Sequence, residues 1–226
     1  MNARDRILNA VAAGLKRPRG DEAARAAVEA RIAARQRNTV PQRAQLPDAE
    51  RIALFERKAT AVGCTVERLT RDAVPAAIAA YLGRHNQPAE VRVAPDPVLT
   101  GLDWASAPML TIRTGTTAET DMVGLGRGIA GVAETGTLLL RSGADAPTAL
   151  NFTPDTHIVL LQAKDVVAGY EDAFDRLRAE VGSNWPRTVN LITGPSRTAD
   201  IEQTLIMGAH GPRRLHVLLV EDAPPA

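Results

Sequence analysis

The sequence predicts an α/β protein in which helices cover an open, mostly parallel sheet. Short β-branched and aliphatic runs alternate with segments of helical periodicity along most of the chain, a pattern typical of parallel sheets. Hydrophobic residues make up 45% of the 226 positions, whereas aromatic residues make up 3%. The core is therefore expected to consist mainly of Ala, Val, Leu and Ile. This length fits one α/β domain with a helical extension, or two small domains.

The predicted organisation is a helical N-terminal extension over residues 1–38 and an α/β domain over residues 39–226. Apolar residues recur at helical spacing from Arg4 to Leu15, which predicts a first helix. Asp21 is placed to cap a second helix from Glu22 to about Arg35, whose apolar face is narrow. The sequence leaves open whether this extension packs on its own domain or against a partner.

The remaining predicted elements alternate between helix and strand. Strands are assigned to short β-branched and aliphatic runs, and helices to periodic segments that follow a capping residue. These elements are a helix from Asp48 to about Val62, a strand from Cys64 to Leu69, a helix after Asp72 through Leu82, strands near Val91 to Ala94 and Met109 to Ile112, strands from Thr137 to Arg141 and from His157 to Leu161, a helix from Asp165 to Val181, and strands from Val189 to Ile192 and from Leu215 to Val220.

A polar segment after the Val189 to Ile192 strand is predicted to lead into a helix. Gly194-Pro195 ends the strand, and Ser196 or Thr198 is placed to cap the helix that Gly208 and Gly211-Pro212 then end. Acidic residues in a first helical turn suit the helix dipole. Ligands of open α/β sheets bind where a strand leads into a helix N-terminus. The candidate ligand-binding residues of this segment are Gly194, Ser196, Thr198, Asp200 and Glu202.

Glu134 is the candidate catalytic residue. It stands between the apolar pair Val132-Ala133 and the turn Thr135-Gly136-Thr137, just before a run of leucines. Burial would raise the pKa of this carboxyl group and suit it to general-base or nucleophilic chemistry. Thr135, Gly136 and Thr137 would contribute hydroxyl donors and a close backbone approach to a ligand. The alternative, which the sequence leaves open, is that the Glu134 carboxylate accepts hydrogen bonds from the turn and holds it in place.

His157 opens a predicted strand and is a further candidate ligand-binding residue, as a proton shuttle or a donor to an anion. The alternative is a histidine bonded to the backbone at the strand start, and His210 is interpreted as a residue at a helix C-terminus. The run Gly126 to Gly131 matches the dinucleotide fingerprint, but the turn and strand that follow it argue against nicotinamide binding. Histidine spacing predicts no metal site.

Charge and cysteine content exclude several classes of function. A net charge of +1 argues against an electrostatic nucleic-acid binder. No apolar run approaches the roughly 20 residues that span a bilayer, and the polar N-terminus lacks a signal peptide, so a cytoplasmic location is expected. Cys64, the single cysteine, is expected in the core. Iron–sulfur clusters are normally held by four cysteines, so any cluster that serves this protein would lie in another chain.

Three segments, in this order, resemble the lactate-utilization (LUD) domain family and its lactate utilization protein C branch. They are Ala133-Glu134-Thr135-Gly136-Thr137, the Gly194 to Glu202 segment, and His210-Gly211-Pro212. The resemblance extends from about Ala107 to Val220 and implies an open Rossmann-like sheet similar to that of the sugar-phosphate isomerase and coenzyme A transferase superfamily. Family members commonly carry a threonine and an acidic residue where this sequence has Gly126 and Ile129.

This resemblance implies a role in L-lactate utilization in the cytoplasm, with oxidation of L-lactate to pyruvate. The chain would be the component without iron–sulfur clusters and without a cofactor of its own, and two iron–sulfur proteins of the A and B type would be its partners. A small anionic ligand would lie between the Glu134 to Thr137 turn and the helix start at Ser196. Two alternatives stay open: a stand-alone coenzyme A transferase or sugar-phosphate isomerase that uses Glu134, and an assembly subunit that docks through its N-terminal helices.

Overall fold

The structure, a computed structural model, describes residues 2–37, 40–198, 206–208 and 210–221. By their internal contacts, the residues form two compact units, Met1–Val40 and Pro41–Ala226. The first unit consists of the helices α1 (Ala3–Gly14) and α2 (Glu22–Ala34). The side chain of Asn2 accepts a hydrogen bond from the backbone N–H of Asp5 at 2.8 Å. Asp21 caps α2 in the same way, as predicted.

The second unit contains four α-helices and twelve strands among its described residues. The helices are α3 (Asp48–Ala61), α4 (Val74–Arg84), α5 (Pro97–Thr100) and α6 (Tyr170–Val181). The strands are β1 (Thr65–Thr70), β2 (Glu90–Val93), β3 (Thr111–Thr114), β4 (Val123–Arg127), β5 (Ala130–Val132), β6 (Thr137–Arg141), β7 (Thr156–Gln162), β8 (Val166–Val167), β9 (Val189–Ile192), β10 (Arg197–Thr198), β11 (Ile206–Met207) and β12 (Arg214–Glu221).

The central sheet has six strands in the order β1-β12-β7-β4-β2-β3. Every neighbouring pair in it is parallel, which confirms the predicted α/β class. Alternate residues of a strand point to opposite faces of the sheet. On β7, Ile158 and Leu160 pack with Ile78 of α4, whereas Val159 and Leu161 pack with Phe55 of α3. The middle of β7 is therefore a continuous apolar run because both faces of the sheet are covered there.

A second sheet has four strands in the order β8-β5-β6-β9. In it β9 pairs antiparallel with β6, with Leu191 opposite Leu139. The residues of β9 were predicted correctly as a strand, but β9 does not belong to the parallel sheet. The helix predicted from Asp165 begins instead at Tyr170, because the β-branched residues Val166–Val167 form β8 and pair with β5.

The segment after β9 forms a strand where the sequence predicted a helix. Arg197–Thr198 is β10, which pairs antiparallel with β11, Ile206–Met207. The Ser196 N–H donates to the Pro212 carbonyl at 2.8 Å, and the Gly208 N–H donates to the Ser196 carbonyl at 2.9 Å. The backbone at Ser196 therefore pairs across the loop and does not start a helix. The residues that would follow a helix start at Thr198 lie outside the described residues. Asp200 and Glu202 lie outside the described residues.

Candidate functional site

A cavity of about 260 Å³ lies at the amino ends of β7 and β12. Its lining residues come from four separate segments of the chain: Asn151 and Phe152; His157; the run from Leu191 to Ser196, which begins in β9; and the run from His210 to Pro212 with Leu215. Apolar side chains form most of these walls, and a few polar groups lie among them. This composition is typical of small-molecule sites.

His157 is the most deeply placed polar side chain of this cavity. It is the second residue of β7, between Gly124 of β4 and Leu215 of β12, and its exposed fraction is 1%. Neither ring nitrogen has a hydrogen-bond partner among the described residues. Burial lowers the pKa of His157 from its ordinary 6.5 to about 4, so the imidazole is neutral at pH 7 and has one N–H donor and one acceptor nitrogen.

Gly126 lies directly beside the imidazole of His157. A Cβ atom at Gly126 would lie 3.3 Å from Nε2 of His157 and 3.9 Å from Oδ1 of Asn151. Asn151 is itself buried, with 6% exposure. A methyl group at position 126 would therefore crowd Nε2 of His157, and glycine avoids this contact.

Two loops hold the opposite wall in place. Gly194 has a φ of +82°, and a Cβ there would lie 2.6 Å from the Val62 carbonyl oxygen. Only glycine fits this conformation and this distance. A Cβ at Gly211 would lie 3.3 Å from Cβ of Ser196, so the two loops pack closely where the Ser196 N–H bonds to Pro212.

Glu134 lies in the turn between β5 and β6 and does not line this cavity. Its exposed fraction is 8%, so the burial expected from the sequence is present. Its carboxylate accepts a hydrogen bond from the guanidinium of Arg43 in an ion pair, and its N–H donates to the Ala168 carbonyl at 3.2 Å. A Cβ at Gly169, the N-cap of α6, would lie 3.8 Å from Oε2 of Glu134. The carboxylate thus lies beside a helix N-terminus, whose dipole favours negative charge.

A cluster of four hydroxyl groups connects the Glu134 turn to the cavity wall. Thr137 Oγ1 lies 2.7 Å from Thr135 Oγ1 and 2.7 Å from Thr193 Oγ1. The Tyr170 hydroxyl lies 3.0 Å from Thr135 Oγ1 and 3.1 Å from Thr137 Oγ1. Thr193 lines the cavity. The cluster therefore joins the two features without placing the Glu134 carboxylate in the cavity.

Comparison with known protein families supplies the assignment. The family model of the LUD domain matches residues 52–220, three quarters of the chain. The chain belongs to the LUD domain family. The resemblance of the three motifs to this family is thus confirmed.

Individual LUD relatives show how far the similarity extends. The chain is 40% identical over 90 residues to an uncharacterized protein of Neisseria meningitidis, covering 40% of this chain and 38% of that protein. It is 37% identical over 93 residues to lactate utilization protein C of Bacillus subtilis, covering 40% and 39%. These matches span about two fifths of the relatives' length. A longer match, 31% identical over 183 residues, covers 80% of this chain and 84% of lactate utilization protein C of Deinococcus radiodurans.

A solved structure has a similar fold. The crystal structure of a DUF162 family protein from Deinococcus radiodurans matches with a TM-score of 0.58 and 26% identity. The match covers 77% of this chain and 99% of that chain.

The structure separates the predicted site residues into two groups. His157, Gly194 and Ser196 line the cavity. The second group, Glu134, Thr135, Gly136 and Thr137, forms a turn against α3 and α6 and does not line this cavity. The single cleft between this turn and the segment from Ser196 to Glu202 stays a prediction. Thr198 belongs to β10, and its side chain, like Asp200 and Glu202, lies outside what the structure describes.

Four polar or aromatic residues of the cavity were not among the predicted ligand-binding residues. They are Asn151, Phe152, Thr193 and His210, the last of which was assigned to a helix end. The polar run directly before His157 was the available signal for Asn151.

In the part of the chain that the structure describes, no three His, Cys, Asp or Glu side chains group into a metal site, and no helix is long and apolar enough to cross a membrane.

Proposed function

We propose that this LUD-family chain acts in L-lactate utilization, as the component without iron–sulfur clusters of a multi-protein system that oxidises L-lactate to pyruvate in the cytoplasm. The observation that carries the proposal is the 31% identity to a lactate utilization protein C across 84% of that protein, within a family match over residues 52–220. The proposed partners are two iron–sulfur proteins of the A and B type.

The electron balance of the reaction supports this division of labour. Oxidation of L-lactate to pyruvate removes two electrons and two protons, so an electron carrier is needed. Cys64 is the one cysteine of this sequence, and a cluster is normally held by four thiolates. The proposal therefore places the electron-carrying clusters in the partner chains and gives this chain a binding or positioning role.

The contacts of Glu134 favour that supporting role over a stand-alone transferase. A carboxylate nucleophile has to reach its substrate, but Glu134 is 8% exposed and is engaged by Arg43. Its place at the start of α6 suits a charge that holds the β5–β6 turn. We therefore assign the Glu134–Arg43 pair to positioning the turn, which the hydroxyl cluster connects to the cavity.

A second candidate, an assembly subunit that docks through its N-terminal helices, is favoured by α1 and α2. Neither helix contains a buried residue. The side chains of Ile7, Val11, Leu15 and Ile32 are each more than half exposed. Exposed apolar residues on successive helical turns are typical of surfaces that bind other proteins. In this variant of the proposal, the helices carry the contact with an iron–sulfur partner.

The test is lactate-dependent dye reduction in an extract of cells that lack this chain, with purified variants added back. Wild type is expected to restore the activity. Glu134→Gln and Arg43→Gln break the same ion pair from opposite sides, so a positioning role predicts a loss of activity from both. Glu90→Gln removes one carboxylate of a surface pair and serves as the matched control, with full activity expected.

The other outcomes separate the alternatives. If only Glu134→Gln abolishes activity while the variant still folds, the carboxylate takes part in chemistry. If deletion of residues 1–38 abolishes activity and Glu134→Gln does not, the chain is an assembly factor. If wild type restores nothing and the extract oxidises lactate without it, the proposed function is wrong.

A further inference from the structure

An open groove of about 730 Å³ lies between two loops of the second sheet and shares no lining residue with the cavity at His157. One loop follows β6, and the other joins α6 to β9. The Ser142 N–H donates to the Thr188 carbonyl at 2.9 Å, and the Thr188 N–H donates to Ser142 Oγ at 2.9 Å. These two bonds hold the loops together, so the groove is formed by the folded chain itself, and its size suits a small molecule.

One side of the groove is formed by an ion pair whose charges balance each other. Arg141 lines the groove and donates to both carboxylate oxygens of Asp145, at 2.8 and 2.7 Å. The Arg141 guanidinium lowers the pKa of Asp145 below its ordinary value, so the pair stays ionised at neutral pH. A Cβ at Gly143 would lie 2.6 Å from Oδ1 of Asp145, so glycine is needed beside the pair. Arg141 therefore has no free charge to offer a ligand.

Trp185 gives the groove an aromatic surface. The chain has two tryptophans. Trp104 packs against the core, and its Nε1 donates to the Leu99 carbonyl at 3.1 Å. Trp185 instead lines the groove and is 51% exposed. Its ring contributes little to the core and is available for stacking with another flat ring.

Arg187 gives the same groove an available positive charge. Its side chain is exposed and lines the groove, and no carboxylate pairs with it among the described residues. Pro186, which separates it from Trp185, has a fixed φ and limits the freedom of this loop. A guanidinium binds a phosphate group through two parallel N–H···O bonds. The groove therefore combines a stacking surface with an anion-binding group two positions away.

We propose that this groove binds a nucleoside phosphate, with the aromatic base stacked on Trp185 and the phosphate group bonded to Arg187. Stacking tolerates different bases because each has a flat π face, so the proposal specifies the class of ligand and not the base. The groove contains no residue of the Glu134 turn or of the His157 cavity. The inference therefore does not depend on the proposed function.

The test is a fluorescence titration of the Trp104→Phe variant of the full chain, in which Trp185 is the only tryptophan. The three probes are AMP, adenosine and ribose 5-phosphate, which provide the base with the phosphate, the base alone and the phosphate alone. AMP is expected to quench Trp185 in a saturable way. It should bind at least about tenfold more tightly than either of the other two, because only AMP makes both contacts.

The reciprocal variant, Trp185→Phe, locates the binding site. It leaves Trp104 as the only tryptophan, and Trp104 does not line the groove. AMP should therefore leave the emission of Trp185→Phe unchanged.

The contribution of the charge is measured by equilibrium dialysis with radiolabelled AMP and adenosine. Arg187→Gln is expected to weaken AMP binding about tenfold and to leave adenosine binding unchanged, because only AMP carries the phosphate. Arg113→Gln is the matched control, since it removes the same charge from an arginine that is more than half exposed and pairs with Glu90. This control should bind both probes like wild type. Circular dichroism checks that each variant is folded.

The following results would overturn the proposal: AMP shows no saturable binding below about 5 mM, adenosine or ribose 5-phosphate binds as tightly as AMP, AMP quenches Trp104 as strongly as Trp185, or Arg187→Gln and Arg113→Gln bind AMP equally well. Because the titrations use the purified chain, a negative result leaves the lactate assay untouched. Failure of the lactate assay likewise leaves the binding result standing.

Discussion

Gly136, in the turn that carries Glu134, is the position where a single methyl group should have the largest measurable effect. Its φ is +71°, a conformation that L-residues rarely adopt. A Cβ at this position would lie 2.7 Å from Cα of Ala59 in α3 and closer still to the Ala59 nitrogen. The turn therefore packs directly on the backbone of α3, and this backbone cannot rotate away as a side chain would.

The magnitude follows from two separate costs. A positive φ at a residue other than glycine costs about 1–3 kcal/mol. Forcing an extra methyl group into a closely packed contact costs a further ~1–3 kcal/mol. We therefore expect Gly136→Ala to lower the free energy of unfolding by about 2–6 kcal/mol, the sum of the two.

Alanine substitutions at two other glycines separate the cost of the positive φ from the cost of the contact with α3. Gly182 has a φ of +57° with nothing near its missing Cβ, and Gly83 has open space and an ordinary helical φ. Gly182→Ala should therefore lose only the conformational part, about 1–3 kcal/mol. Gly83→Ala should be neutral or more stable by about 0.5–1 kcal/mol.

The assay is equilibrium unfolding in urea with linear extrapolation for the three variants and wild type. The difference between Gly136→Ala and Gly182→Ala measures the contact with α3. If the two variants agree within about 0.5 kcal/mol, the turn does not pack on α3 as described, and the position assigned to Glu134 is refuted with it.

Two further predictions concern buried charge. Burial lowers the pKa values of His157 and His216 to about 4, so below pH 6.5 both residues gain protons on unfolding and the folded state becomes less stable as the pH falls towards 4. The free energy of unfolding, measured in urea, should fall by about 2 kcal/mol per histidine between about pH 7.5 and about pH 5. A His157→Phe variant with an unchanged pH profile would contradict this. Arg127→Ala leaves the carboxylate of Asp96, 5% exposed, without its partner and should lower the free energy of unfolding by about 3–5 kcal/mol. The control Arg113→Ala removes an ion pair whose arginine is more than half exposed and should cost about 0–1 kcal/mol; equal losses in urea unfolding would refute the buried pair.

Much of the fold could be predicted because the signals are local. The helices α1 to α4 begin and end within about two residues of their predicted limits, since caps, prolines and 3.6-residue periodicity act over a few residues. β6 and β9 match at both ends. The apolar run of β7 predicted a strand because a strand of a parallel sheet is buried on both faces.

The errors arose where strand pairing decides the backbone. Val166–Val167 pairs with the distant strand β5, and Arg197–Thr198 pairs with β11 across one loop. In both cases the pairing outweighed the helical signals nearby. The cleft between the Glu134 turn and the Ser196 loop was expected from the family resemblance and stays a prediction. How the two segments lie in space depends on the placement of the second sheet, which no local pattern encodes.

The sequence by itself determined the parallel sheet, the aliphatic core, the burial of Glu134 and the place of His157 at a strand start, because these follow from hydrophobic periodicity and residue chemistry. Only the tertiary structure decided that His157 is left without a partner, that Glu134 pairs with Arg43, and that four separate segments enclose one cavity. These features depend on contacts between residues tens of positions apart. Such contacts form only when folding has ordered the chain and brought the residues together, so no local pattern in the sequence reports them.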